Sequence, residues 1–71
     1  MDSAAAHYTY RVRWSPEDDL YVGTVAELPS LSWLASDRTE AFVGIQRAAA
    51  ETVADLVADG DPVPPALADR E

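Results

Sequence analysis

The hydrophobic period of this chain changes once, near Asp37, and that change divides it into two kinds of structure. Before Asp37 apolar residues recur at every second position; after it they recur at every third or fourth. In residues 8–14, Tyr8, Tyr10, Val12 and Trp14 share one face and Thr9, Arg11 and Arg13 share the other, the pattern of a half-buried strand. The polar segment Ser15-Pro16-Glu17-Asp18-Asp19 carries proline in a turn-favouring place. Leu20–Val25 reads as a second strand, paired to the first as a hairpin with a loop longer than two residues. Gly23 either weakens that strand or marks close backbone approach. Residues 26–30 form a second break, and residues 31–35 a short third strand.

Asp37 stands three residues before Glu40, the acidic version of a capping box. Ala41, Phe42, Ile45, Ala48, Ala49, Val53, Leu56 and Val57 then repeat at helical spacing. Gly60 is placed to end the helix, and Asp61-Pro62-Val63-Pro64-Pro65 cannot continue it. The spacing therefore predicts a helix over about residues 38 to 59. Three antiparallel strands have one face to bury and the helix has one stripe. The expected fold is α+β, a three-stranded antiparallel sheet packed against one long helix. The expectation is a single domain over residues 1–71, with an ordered core at about 7–65 and flexible tails at both ends.

A chain of 71 residues buries only about 60% of its unfolded surface, and this one has no cysteine to cross-link it or to hold a metal. Self-association, as a homodimer or homotetramer, is the expected extra source of stability. No apolar run approaches the ~20 residues of a membrane span, and the first residues do not resemble a signal peptide. A cytoplasmic protein without membrane contact is expected.

Thirteen acidic residues face five basic ones, all arginine, for a net charge of −8. Such a chain is repelled by phosphate backbones, so direct nucleic-acid binding is not expected, whereas a basic protein is attracted. Groups for catalysis are scarce. His7 is the one histidine; a Ser–His–Asp arrangement needs a base positioned beside its nucleophile, and His7 lies at the edge of the first strand beside Tyr8 and Tyr10. The glycines, Gly23, Gly44 and Gly60, are isolated and form no phosphate loop. Glu17, Asp18 and Asp19 form the densest acidic cluster but lack the spacing and glycine of a calcium loop. The expectation is a non-enzyme with no cofactor and no metal. Trp14 and Trp33 read as core residues; either one left exposed would point to an interface.

A resemblance rests on an ordered set of residues. Tyr10-Arg11-Val12 leads into Trp14-Ser15-Pro16-Glu17-Asp18, followed by Tyr21-Val22-Gly23 and by residues 27–35, read Glu-Leu-Pro-Ser-Leu-Ser-Trp-Leu-Ala. Thr39-Glu40-Ala41 opens the helix and Gly60-Asp61-Pro62-Val63-Pro64 closes the set. In these residues the chain resembles the HicB-type antitoxin family. Two details differ: the family's proline-glycine-cysteine turn reads Pro29-Ser30-Leu31, and its threonine at the helix start is replaced by Asp37. The resemblance implies a degraded ribonuclease-H-like fold and an antitoxin-like, non-catalytic domain. Such a domain neutralises a small basic ribonuclease toxin of the HicA type by binding it. A larger departure is expected at the end: similar longer sequences continue past Leu67-Ala68-Asp69-Arg70 into a DNA-binding segment, so this chain is expected to carry the partner-binding portion and not the DNA-binding portion. The alternative is an orphan structural or adaptor domain of the same fold with no toxin partner.

The acids expected to meet a basic partner are Glu17, Asp18, Asp19 and Glu27. They lie in the two breaks between strands, and loop acids near one end of a sheet can converge on a partner. Trp33 is the expected apolar anchor beside them, an aromatic inside a charged rim.

Overall fold

The computed structural model describes residues 4–67. A 3₁₀ turn at Ala4–His7 precedes strands β1 (Tyr10–Ser15), β2 (Leu20–Val25) and β3 (Ser32–Ala35), and helix α1 (Arg38–Asp59) follows. The strands form one antiparallel sheet in the order β1-β2-β3, with the helix packed across all three. The α+β architecture expected from the change of period is the one observed.

Register assigns the two sheet faces. Val12, Gly23 and Trp33 lie side by side across the strands, as do Trp14, Tyr21 and Ala35. This is the helix-facing side. A Cβ at Gly23 would lie 2.7 Å from the Ala41 carbonyl oxygen and 2.9 Å from the Ile45 Cβ. Of the two roles open to Gly23, close backbone approach is the one it plays: the sheet can meet the helix here only without a side chain. Arg11, Thr24 and Ser32 line the opposite face, with Arg13, Val22 and Leu34 beside them.

Both helix ends are closed by the expected residues. Asp37 has extended backbone, and its carboxylate accepts from the Glu40 N–H at 3.1 Å. Gly60 is left-handed at φ 74°. Its N–H donates to the Val57 carbonyl, and the Asp61 N–H donates to that of Leu56. The buried stripe of the helix is Ala41, Gly44, Ile45, Ala49 and Val53. Phe42 and Val57, expected on that stripe, are exposed instead.

The core gathers Ala5, Tyr8, Val25, Ile45, Ala49, Val53 and Ala66. Two of its members come from segments expected to be flexible tails. Ala5 and Ala66 are both buried, so the packed unit extends beyond residues 7–65 at each end. The Tyr8 hydroxyl donates to the Pro64 carbonyl and the Tyr10 hydroxyl to the Ala5 carbonyl, each at 2.6 Å. These bonds tie the segments at Ala5 and Pro64 to residues 8–10, where the first strand begins. Residues 1–3 and 68–71, the outer parts of the expected tails, lie outside the described residues.

Candidate partner-binding surface

The β1–β2 turn presents Glu17, Asp18 and Asp19 to solvent. Asp19 adopts φ 56°, a left-handed conformation that aspartate tolerates better than most residues with a side chain. Asp18 accepts a hydrogen bond from the buried Ser15 hydroxyl at 3.0 Å, which fixes the turn to the end of β1. The tip is thus a held loop with adjacent exposed acids.

Glu27 behaves differently. It is only 9% exposed and serves the interior. Its carboxylate accepts from the Thr9 N–H at 2.8 Å, the Thr9 hydroxyl at 3.2 Å and the Leu67 N–H at 2.9 Å. Burial pushes its pKa up, but hydrogen bonds from the N–H groups of Leu67, Thr9 and Glu27 itself, and from the Thr9 hydroxyl, outweigh this. The net result is a carboxyl held below the ordinary glutamate value. Burial, and next the nearby Glu27 charge, push the Tyr8 and Tyr10 phenols up. Glu27 is a staple joining the start of β1 to the C-terminal segment.

The structure also separates the four acids. The turn at Glu17, Asp18 and Asp19 precedes β2 and Glu27 follows it, so they stand at opposite ends of a six-residue strand, about 20 Å apart. They do not converge on one end of the sheet, and Glu27 is withdrawn from the surface.

Both tryptophans are left partly outside the core, contrary to the expectation of core residues. Trp14 is 46% exposed and Trp33 43%. Trp14 stacks edge-on against Tyr21, ring centroids 5.0 Å apart, and the Arg38 guanidinium sits 5.5 Å from the centre of the Tyr21 ring. This aromatic pair is one step from the last hairpin pair, Ser15 with Leu20, and so borders the acidic turn. Trp33 lies on β3 with its indole over Gly44, where a Cβ would overlap the ring. An open groove of about 500 Å³ runs beside it, lined by residues of β3 and the first half of α1. The sequence pointed to Trp33 rather than Trp14 as the anchor beside the acidic turn, although exposure of either tryptophan was expected to mark an interface. The signal available for Trp14 was the hairpin it shares with that turn, since Trp14 and Tyr21 flank residues 15–20 symmetrically.

Among the described residues, no group of three or more His, Cys, Asp or Glu is arranged to hold a metal ion, and no helix is long and apolar enough to cross a membrane. Comparison with models of known protein families, with curated proteins and with solved structures found no match.

Proposed function

We propose that this chain is a non-catalytic, HicB-like domain that binds a small basic ribonuclease toxin and blocks it. The observation that carries this reading is the exposed acidic turn, Glu17, Asp18 and Asp19, bordered by the half-exposed Trp14–Tyr21 pair on a chain of net charge −8. Charge at a rim steers a basic partner and sets the association rate, while a desolvated aromatic slows dissociation. The ordered residues that resemble the HicB-type family supply the class of partner. In this arrangement Trp14, rather than Trp33, is the anchor beside the acids, and Glu27 supports the fold from within.

The test uses the basic protein encoded next to this chain's gene, measured by surface plasmon resonance at two salt concentrations. Asp18→Asn combined with Asp19→Asn should slow association and flatten its salt dependence, because asparagine also accepts the left-handed backbone at position 19. Trp14→Ala should speed dissociation more than Trp33→Ala does. An unchanged association rate in the double variant rejects the electrostatic contact. If no adjacent basic protein is bound, the orphan adaptor reading of the same fold takes its place.

A further inference from the structure

The sheet ends in two different edges. The β1 edge carries Arg11 and Arg13, charges that oppose pairing with another strand. The β3 edge is Ser32-Trp33-Leu34-Ala35, uncharged, with Trp33 and Leu34 both near half exposed. Among the described residues β3 is hydrogen-bonded to β2 on one side only, so alternate residues direct their N–H and C=O groups outward.

Beside this edge α1 shows a stripe of residues at helical spacing: Glu40, Val43, Gly44 and Arg47. The stripe has an internal symmetry. Its midpoint falls between Val43 and Gly44, and an exposed anion and an exposed cation stand three places to either side. Val43 is 46% exposed, and Gly44 lies under the Trp33 indole.

We propose that β3 and this α1 stripe form an interface with a second copy of the chain, the two sheets joining edge to edge about a two-fold axis. An antiparallel β3–β3 pair about an axis normal to the sheet keeps both helices on one side and runs them in opposite directions. Each Glu40 then faces the Arg47 of the other copy, with Val43 and Trp33 of both copies enclosed between them. Such an isologous contact requires a surface complementary to itself, and the reversal of charge about Val43 and Gly44 meets that requirement. The turn at Glu17, Asp18 and Asp19 is outside this interface, so the proposal stands apart from toxin binding.

The test is sedimentation equilibrium of the chain alone at tens of micromolar, with far-UV circular dichroism verifying each variant's fold. The wild type should be a dimer of the 7.7 kDa chain. Glu40→Arg leaves only cations at both ends of the stripe, and Arg47→Glu leaves only anions. Each alone should weaken dimerisation by roughly tenfold or more. Mixing the two single variants should restore association as a heterodimer, and the double exchange in one chain should restore the homodimer. A monomeric wild type overturns the proposal. So do single variants that stay fully dimeric, or variants that dissociate without recovery on mixing and double exchange.

Discussion

At the scale of single residues, Glu27 shows how position in the fold overrides a reading from composition. It lies in an acidic chain between two strands, a context that suggests a solvated loop acid. It is instead buried, holding Thr9 and Leu67 by three hydrogen bonds. Its lowered pKa gives a stability contribution with a definite sign. Between the folded value and the ordinary value of 4.5 the unfolded chain binds more protons than the folded one, so stability rises with pH there. The contribution is complete above about 4.5 and is lost as pH falls through the lower, folded value. Glu27→Gln puts an amide NH₂ against N–H donors and should cost about 1–3 kcal/mol at neutral pH. The difference from wild type should shrink as the medium is acidified. Urea unfolding from pH 7 to pH 3 measures it, and a difference that stays constant with pH would show that the carboxylate charge has no such role.

At the scale of elements, the strand–helix contact is decided by Gly23. Small residues on α1, Ala41 and Ala49 on the buried stripe, let the helix lie close to the sheet, and Gly23 completes the approach. Gly23→Ala would favour the strand by its intrinsic preference but would drive a methyl against the Ala41 carbonyl oxygen. That atom belongs to a hydrogen-bonded helix backbone and cannot swing away like a side-chain tip. The expected net effect is a loss of about 1–3 kcal/mol in chemical denaturation. A neutral or stabilised variant would mean that the helix slides over the sheet without cost. Topology at this scale also settles the placement of the acids. In an antiparallel meander consecutive turns fall at opposite ends of the middle strand, so the two breaks flanking β2 cannot form one patch.

At the scale of the whole molecule, small side chains fill much of the core while large ones remain outside. Ala5, Ala41, Ala49 and Ala66 are buried, whereas Trp14, Trp33, Leu34, Phe42 and Val43 are each more than two-fifths exposed. A domain of this size gains little from such a core, and covering the β3 edge adds apolar burial that the single chain lacks. If the chain pairs as proposed, its thermal midpoint should rise with protein concentration, because association stabilises the folded state by mass action. Differential scanning calorimetry over a hundredfold concentration range measures this. A midpoint independent of concentration would separate folding from association.

The sequence by itself determined the elements and their order. Alternation around Tyr10 and Val12, the Asp37 cap and the Gly60 stop are local signals, each encoded within a few residues of the structure it specifies. It also determined the net charge of −8. The tertiary structure alone decided which half of each pattern is buried. Phe42 has the same apolar character as Ile45, yet it is exposed, with its ring 6.3 Å from that of Tyr10 at 82°, because the helix turns its Ala41, Ile45 and Ala49 stripe to the sheet. Glu27 was withdrawn from the surface by Leu67, forty residues away, and Trp33 was laid over Gly44 by packing across the sheet edge. Contacts between residues so distant leave no periodic trace in either segment, because each depends on where the other's backbone arrives in space.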